Sequence, residues 1–548
     1  METSKLKKND IYDIEIIAQG SEGEGIGKID GFAVFIKNAV VGDFVRAKLL
    51  KINKSFAYAK IEQIITPSPY RVEPPCAAFS RCGGCNFMHI SYEKQLLLKN
   101  RRIYDALTRI GGFGDIVLPD IVASKNIYHY RNKTQLPVGQ SSDGDIVCGF
   151  FAPRTHRICA IDECFAAPSL QKSVADTVKS YMKKYDITPY DEVTHSGIIR
   201  HIFIRTSKKG DAMVVIVANS PKPKFSQELV DMLLANVKEV VSIIWNVNTE
   251  KTNLVLGKKN IKLYGVDMLE DTIGELWFKI SPLSFYQVNA FQTEKLYNIA
   301  LDFASLTGDE TVFDLYCGIG TISLFMAPHA KKVIGLEIVP EAVENANENA
   351  KINNISNAIF YCGAVEKTVV ELYNSGERAD VVMLDPPRKG ADEVTLSTLI
   401  QTNPKRIVYV SCNPETLARD AKFLCSNGGY KIEKIQGVDM FPHTTHVETV
   451  VLLSQLKPDD VVQVELNAED LALTSAEAKA TYEEIKTYVK RAFGFKVSSL
   501  YIAQVKQKMG LPMGKNYNVS KKGTRVPLCP PEKEEAILDA LRHYKMIK

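Results

Sequence analysis

The sequence predicts a multidomain α/β protein with four parts. They are an N-terminal OB-like β-barrel at residues 1–67, a central α+β domain with a cysteine cluster at 68–290, a doubly wound parallel sheet at 291–455 and a helical extension at 456–548. A chain of 548 residues is too long for one hydrophobic core. Short apolar–polar alternations occur near the N-terminus, strand and helix patterns alternate in the third part, and helical patterns follow.

The composition is typical of a soluble globular protein, with 45% hydrophobic and 24% charged residues. The mean hydropathy is -0.09, and no apolar run approaches the length of a membrane span. The basic N-terminus lacks the apolar stretch of a secretory signal, so we expect a cytoplasmic protein without a membrane partner. A net charge of +4 permits binding to nucleic acid without requiring it.

The first part is predicted to be a small β unit. Residues 11–65 alternate apolar and polar positions between glycine and aspartate turns, which favours a five-stranded OB-like barrel. Its basic residues indicate one basic face: Lys28, Lys37, Arg46, Lys48, Lys51, Lys54 and Lys60. An ordinary solvated β surface explains the same charges equally well. The proline-rich stretch TPSPYRVEPPC then marks a linker.

The central part mixes strand and helix patterns. Basic side chains make most contacts with the phosphates of nucleic acids, and four of them here are candidates for such contacts: Arg131, Lys133, Arg200 and His201. Surface salt bridges are the alternative for each of these residues. Spacing alone does not decide between the two.

The chain contains eleven cysteines, a number that does not suggest a disulfide framework in a reducing compartment. Cys76, Cys82 and Cys85 form a C-x5-C-x2-C cluster. Zinc and a cubane iron–sulfur cluster would each need a fourth ligand, for which Cys164 and Cys159 compete. The spacing does not distinguish the two metals, but three unligated thiols so close together are not expected.

Residues 311–453 alternate strands with helices, which predicts a mostly parallel, doubly wound sheet. The strand-like runs are TVFDLYC, KKVIGLEI, ADVVMLD, KRIVYVSC and VETVVLL, with helical patterns such as PEAVENANENAKINN and PETLARDAKFLCSNGG between them. Ligands of such sheets bind at the carboxyl ends of the strands.

The first strand of this sheet ends in DLYCGIG. Gly318 and Gly320 allow a tight turn and close approach of the backbone to a ligand. Glu337 ends the next strand, where an acid binds the ribose hydroxyls of a nucleoside. Because the glycine pattern is shorter than GxGxxG, it favours a single-nucleoside cofactor such as S-adenosylmethionine over a dinucleotide.

Three reactive side chains follow at later strand ends. Asp385 precedes two prolines, which hold the backbone extended and present the carboxylate to the crevice. A thiolate at Cys412 would add to C6 of a pyrimidine and make C5 able to take a methyl group. Glu448 begins the last strand and is the candidate base for the C5 proton. Alone, Cys412 would be a buried structural thiol and Glu448 a surface acid, but their combination favours catalysis.

Five motifs occur in the order SPLSFYQVN, DLYCGIGT, LDPPRKG, VSCNPETLARD and FPHTTHVE. In these motifs the chain resembles the S-adenosylmethionine-dependent RNA uracil-5 methyltransferases, specifically the bacterial 23S rRNA branch, over about residues 10–453. The resemblance implies a Rossmann-like class I methyltransferase domain, with Cys412 as nucleophile and Glu448 as base. It implies that the barrel is an RNA-binding TRAM domain and that the partner is 23S rRNA.

The resemblance also implies two sets of ligands. Cofactor contacts would come from Gln287, Tyr316, Glu337 and Asp385. A [4Fe-4S] cluster, structural or RNA-binding and not redox-catalytic, would be held by Cys76, Cys82, Cys85 and Cys164. Because tRNA-specific relatives generally lack both the TRAM domain and the cluster, their presence favours rRNA.

Several alternatives stay open. A tRNA uracil-5 methyltransferase would use the same chemistry, and a non-catalytic RNA-binding assembly factor could keep the fold. The intact Cys412, Glu448 and Asp385 argue against the second. A DNA cytosine-5 methyltransferase would carry its cysteine earlier, after proline, and an amino-methylating enzyme an aromatic residue where Arg388 stands. No obligate protein partner is expected, and the extension at 456–548 lies outside the resemblance.

Overall fold

The computed structural model describes residues 6–114, 116–252, 254–456, 482–509, 511, 529–544 and 546–547. The chain divides into two compact units, Met1–Lys457 and Pro458–Lys548. Within the described ranges, no helix combines the length and apolar character needed to cross a membrane.

A closed barrel begins the first unit. Its strands are β1 (Ile11–Glu15), β2 (Ala18–Gln19), β3 (Gly25–Ile29), β4 (Phe32–Lys37), β5 (Phe44–Ile52) and β6 (Phe56–Thr66). The order is β1-β5-β6-β4-β3-β2, and β2 follows β1 after a two-residue break. Because β1 and β2 are two halves of one bent strand, the sheet closes as the five-stranded barrel that the alternation predicts. Val45, Ala47 and Leu49 of β5 point into its core.

A mixed sheet follows the barrel. The elements are α1 (Tyr92–Asp105), β7 (Lys133–Gln140), β8 (Ile146–Phe151), β9 (Ile158–Ala160), α2 (Gln171–Lys184), β10 (Ile199–Thr206), β11 (Ala212–Ala218), α3 (Ser226–Asn236), β12 (Val240–Val247), β13 (Lys259–Gly265), β14 (Leu269–Ile273) and β15 (Leu276–Ile280). The sheet order is β13-β12-β11-β10-β7-β8-β9, with β11 and β12 parallel and the other neighbours antiparallel. The hairpin β14–β15 pairs separately. This arrangement agrees with the α+β prediction.

The third sheet is doubly wound. Its elements are α4 (Ala290–Ala304), β16 (Thr311–Leu315), α5 (Thr321–Met326), β17 (Lys332–Glu337), α6 (Pro340–Ile352), β18 (Ala358–Cys362), α7 (Val365–Asn374), β19 (Val381–Leu384), α8 (Glu393–Thr402), β20 (Arg406–Ser411), α9 (Pro414–Gly428), β21 (Tyr430–Val438) and β22 (Glu448–Gln455). The order is β18-β17-β16-β19-β20-β22-β21. Strands β16 to β20 run parallel. Strand β22 is antiparallel to both of its neighbours, β20 and β21, so β21 points in the same direction as the parallel strands. The strand order reverses between β16 and β19, where ligands of such sheets bind.

Apolar cores cover both faces of this sheet. One contains side chains of α4, α5 and α6, and the other contains side chains of α7, α8 and α9. Residues of α1 join the second core, and the hairpin β14–β15 joins the first. Elements within the predicted central range therefore pack against the third sheet, and the boundaries at residues 67, 290 and 455 stay predictions.

The second unit is helical in its described part. The helices are Tyr482–Phe493, Ser499–Lys508 and Pro531–His543. They share an apolar core that includes Ile485 and Ile537.

Candidate active site

Strand ends bring Cys412, Glu448 and Asp385 to one edge of the third sheet. Asp385 directly follows β19, Cys412 follows the neighbouring β20, and Glu448 is the first residue of β22. Ser411 of β20 pairs with Thr449 of β22 in the antiparallel ladder. One step further along, Cys412 stands opposite Glu448, and side chains at such positions lie on the same face.

Burial raises the pKa of all three groups. Burial raises the pKa of Cys412 to about 11, and the negative charge of Glu448 adds to this while Arg388 opposes it. Burial of the Glu448 side chain, helped by the nearby charge of Asp385, raises its pKa to about 8. Burial also raises the pKa of Asp385 to about 7. The edge of the sheet therefore holds two carboxyl groups that titrate near neutrality, Glu448 and Asp385, together with the Cys412 thiol, whose pKa is higher.

The turn after Cys412 starts a helix and fastens a neighbouring loop. Asn413 caps α9, since its side-chain oxygen accepts the Glu415 N–H at 3.1 Å, and Pro414 occupies the first helical position. The Asn413 amide also donates to the Arg388 carbonyl at 3.2 Å, so the loop that carries Asp385 is tied to this turn. The positive end of the α9 dipole lies beside Cys412 and favours its thiolate.

The glycine loop after β16 forms a cradle. Gly320 has φ +81°, and a Cβ there would lie 3.0–3.2 Å from Phe360 and Ala346. The Gly318 N–H donates to Glu337 Oε2 at 3.1 Å, and the Val339 N–H donates to Oε1 at 2.9 Å. The predicted acid at the end of β17 is therefore fixed by the loop that it faces.

Tyr316 precedes this loop directly, and Gln287 lies in the segment between β15 and α4. Tyr316 has φ +70°, and its hydroxyl lies 3.4 Å from Thr395 Oγ1. Gln287 is buried between β15 and α4, and its carbonyl accepts the Asn132 side-chain N–H at 2.9 Å.

A fourth carboxyl group, not singled out from the sequence, lies inside the same edge. Asp314 of β16 is fully buried and accepts a hydrogen bond from Ser323 Oγ at 2.5 Å. Burial, with Asp385 and Glu337 nearby, raises its pKa to about 7. Among the described residues, no group donates to its second oxygen. The sequence signal for Asp314 was an acidic residue within an otherwise apolar strand. The cluster of carboxyl groups at this edge suits a cationic ligand.

The cysteine cluster lies in the central region. A cavity of 320 Å³ is lined by Cys76, Cys82, Cys85, Cys164, Arg131 and Lys133. Burial and the neighbouring thiols raise the pKa of Cys82 to about 11 and that of Cys85 to about 12. Within the ranges that the structure covers, no three histidine, cysteine or acidic side chains are placed to hold one metal ion.

The four predicted RNA contacts separate into two pairs. Arg131 and Lys133 line the cysteine cavity, and burial lowers the pKa of Lys133 to about 8. Arg200 is 5% exposed and His201 is 7% exposed. The Arg200 guanidinium donates to the carbonyls of Asn248, Glu250 and Thr252. Because both side chains are buried in this way, a phosphate contact from Arg200 or His201 does not fit the arrangement.

Two protein families match successive regions of this chain. The family described as tRNA (Uracil-5-)-methyltransferase matches residues 91–456, and the TRAM domain matches residues 5–61. A protein of Clostridium tetani named Uncharacterized RNA methyltransferase is 46% identical, over 82% of this chain and 97% of its own length. A Listeria innocua protein of the same description is 45% identical, over 83% of this chain and 100% of its own.

One solved structure resembles most of the chain. It is the Pyrococcus abyssi tRNA (uracil-54, C5)-methyltransferase in complex with S-adenosyl-L-homocysteine, with a TM-score of 0.64 and 27% identity. The match covers 80% of this chain and 100% of that chain.

Proposed function

The chain belongs to the tRNA (uracil-5-)-methyltransferase family and carries a TRAM domain, and from this premise we propose that it methylates C5 of a specific uridine in 23S rRNA. The family consists of S-adenosylmethionine-dependent RNA methyltransferases. The observation that carries the proposal is the placement of Cys412 opposite Glu448 at the ligand edge of the sheet.

The proposed chemistry uses these two residues in turn. The Cys412 thiolate adds to C6 of the uracil, and the electron pair of the C5–C6 double bond moves towards the C4 carbonyl. C5 thereby becomes nucleophilic and bonds to the methyl carbon of S-adenosylmethionine, whose methyl–sulfur bond breaks to leave S-adenosylhomocysteine. The Glu448 carboxylate then removes the proton from C5, which re-forms the double bond and expels the Cys412 thiolate. A carboxyl group with a pKa of about 8 is a suitable base near neutral pH.

The crevice fits the cofactor in shape and in charge. Gly318 and Gly320 allow close approach, and Glu337 is held for a pair of ribose hydroxyls. The buried carboxylates Asp314 and Asp385 complement the positive sulfonium and ammonium groups. Gln287 and Tyr316 complete the proposed set.

We further propose a [4Fe-4S] cluster on Cys76, Cys82, Cys85 and Cys164. The four thiols line one cavity that also contains the cation of Arg131. Burial and the neighbouring thiols raise the pKa of Cys85, and the Arg131 cation offsets part of this. In such a cluster each cysteine binds a different iron, so its ligands are spaced more widely than those of a single ion. The group would hold the central region together and bind RNA nearby, and no catalytic step uses it.

The choice of 23S rRNA rests on the TRAM domain and the cysteine cavity, features that the sequence resemblance links to the rRNA branch. An unpaired loop suits the reaction, because the target base must leave its stack to reach Cys412. The second candidate is tRNA, which is favoured by the likeness to the Pyrococcus abyssi enzyme. A cytoplasmic location is part of the proposal.

The test is methyl transfer from labelled S-adenosylmethionine to unmodified 23S rRNA and, in parallel, to unmodified tRNA. We expect label in 5-methyluridine from rRNA only. Label from tRNA alone would keep the chemistry and overturn the substrate. Label from neither, with folded and iron-loaded protein, would favour a non-catalytic RNA-binding factor.

A further inference from the structure

Helix α1 turns a row of polar side chains towards the loops that carry the proposed nucleophile and base. Tyr92, Gln95, Lys99 and Arg102 are three or four residues apart, so they lie on one side of the helix. Gln95 and Lys99 are buried although both are polar. Buried polar groups need partners, and several of these partners lie far away in the sequence.

The first partner is the base loop, defined as residues 439–447, which ends at the proposed base. The Lys99 ammonium donates to Asp439 Oδ1 at 2.6 Å and to the Phe441 carbonyl at 3.0 Å. The Tyr92 hydroxyl donates to the other Asp439 oxygen at 2.8 Å. Both side chains of the Lys99–Asp439 ion pair are fully buried. The start of the base loop is therefore fixed to α1.

The middle of the base loop is held as well. The Gln95 side-chain oxygen accepts the His443 N–H at 2.9 Å. The N–H groups of Asn86 and Phe87 both donate to the His443 carbonyl, at 3.0 and 2.9 Å. The segment just after the cysteine cluster thus contacts the base loop directly.

Arg102 contacts the base loop and a second loop at the same time. Its Nε and Nη2 groups donate to the two carboxylate oxygens of Glu415, each at 2.9 Å. Its Nη1 group donates to the Thr445 carbonyl at 2.8 Å. Glu415 is the third residue after Cys412, and Thr445 is the third residue before Glu448. One guanidinium therefore bridges the segments that carry both proposed reactive groups.

We propose that Arg102 is a positioning residue that holds the Cys412 turn and the base loop at a fixed separation. The inference rests on the proposed roles of Cys412 and Glu448. Those groups act on adjacent atoms of one uracil ring, so their separation has to match the ring. A guanidinium provides a planar fork for the carboxylate and a further N–H for the carbonyl, which lysine does not.

The variant that tests this is Arg102→Gln, which removes the fork and keeps a polar side chain. Arg101→Gln is the matched control. Arg101 lies next to it on α1, its side chain is 61% exposed, and it pairs with Asp105 on its own helix at 2.9 Å. Arg102→Lys keeps the charge but not the fork, and we expect it to restore activity only in part.

Two measurements distinguish an effect on the Cys412 turn from an effect on the base loop. Turnover on uridine-containing 23S rRNA needs both groups, whereas formation of a covalent adduct on 5-fluorouridine-containing 23S rRNA needs Cys412 but not proton removal. We expect Arg102→Gln to lower kcat about 100-fold, the order that a 1 Å misplacement costs. Adduct formation should slow about tenfold or more for the same reason. The KM for S-adenosylmethionine should stay unchanged, because Arg102 contacts neither glycine of the cradle.

The double variant Arg102→Gln/Glu415→Gln adds a further check. If Arg102 acts through its two hydrogen bonds to the Glu415 carboxylate, the double variant should lose no more activity than Arg102→Gln alone. Three results would overturn the inference: an effect equal to that of Arg101→Gln, a loss of turnover with normal adduct formation, or a loss that follows only a lower melting temperature. A wild-type protein that forms neither product nor adduct would overturn the proposed function itself, and this inference with it.

Discussion

Cys412 and Glu448 face each other across the ends of two antiparallel strands, one step beyond the pair formed by Ser411 and Thr449. They come from different segments of the chain, and neither sits on a long loop of its own. A rigid strand end is a precise support for a reactive side chain. This relationship places a thiol and a buried carboxyl group on one face of the sheet, where both can reach one uracil ring.

Glu448→Gln should stop the reaction after methyl transfer. The amide cannot take the C5 proton, so the covalent link between Cys412 and the methylated uracil should persist. Denaturing gels of protein mixed with 23S rRNA and S-adenosylmethionine should show a band of protein bound to RNA. Wild-type protein is the control and should show little of it. Normal turnover in this variant would contradict the assigned role.

The pH dependence of activity should follow Glu448. Burial raises its pKa from 4.5 to about 8, and only the ionised form acts as a base. We therefore expect the proton-removal step, followed as release of the methylated uracil from Cys412, to become faster with rising pH and to level off above about pH 8. A rate of this step that is flat from about pH 7 to about pH 9, roughly one unit either side of this pKa, would contradict the assigned role.

Stability should change in the opposite direction over this pH range. A carboxyl group whose pKa is raised by folding binds more protons in the folded state than in the unfolded state. The folded protein therefore loses stability as the pH rises. The free energy of unfolding of the wild type, relative to Glu448→Gln, should fall between about pH 4.5 and 8. Urea unfolding of both proteins across this range measures the difference. A relative stability that rises with pH would show that Glu448 is not buried as described.

Gly320→Ala should weaken binding of S-adenosylmethionine. The residue has φ +81°, and the added methyl would lie 3.0–3.2 Å from Phe360 and Ala346. The loop must shift or strain, so we expect the Kd for S-adenosylmethionine to rise about tenfold or more. Calorimetric titration measures it. Gly376→Ala tests whether strain elsewhere has this effect, since Gly376 also has a positive φ but has open space beside it.

Cysteine variants should separate Cys164 from its competitor. Cys164 lines the 320 Å³ cavity with the other three thiols, while Cys159 is buried in β9. Cys164→Ser should lower the iron content and the visible absorbance of purified protein, and Cys159→Ser should retain both. The reverse result would assign the fourth ligand to Cys159. Equal iron in both variants and in Cys85→Ser would contradict the cluster.

Local patterns predicted much of this site, because its residues follow apolar strands. Asp385, Cys412 and Glu448 each border such a run, and the structure places all three at one edge. Two strands of the same sheet escaped prediction. Strand β18 is an apolar run of only five residues at the edge of the sheet, where only Phe360 is buried. In β21, charged residues at Lys431, Glu433 and Lys434 interrupt the apolar pattern.

Contacts between distant segments could not be predicted from spacing. Arg102 and Glu415 are 313 positions apart, and no local pattern links them. Arg200 shows the same limit in the other direction. Its charge suggested an RNA contact, but three backbone carbonyls, 48 to 52 positions away, take up its guanidinium inside the fold.

The central claim is that Cys412 bonds covalently to the target uracil. The most direct measurement is to react the protein with 5-fluorouridine-containing 23S rRNA and S-adenosylmethionine, digest the adduct, and locate the modified peptide by mass spectrometry. We expect one nucleotide-bearing peptide, which contains Cys412. This peptide should be absent from Cys412→Ala, which should still bind RNA. An adduct on another residue, or product formed by Cys412→Ala, would contradict it.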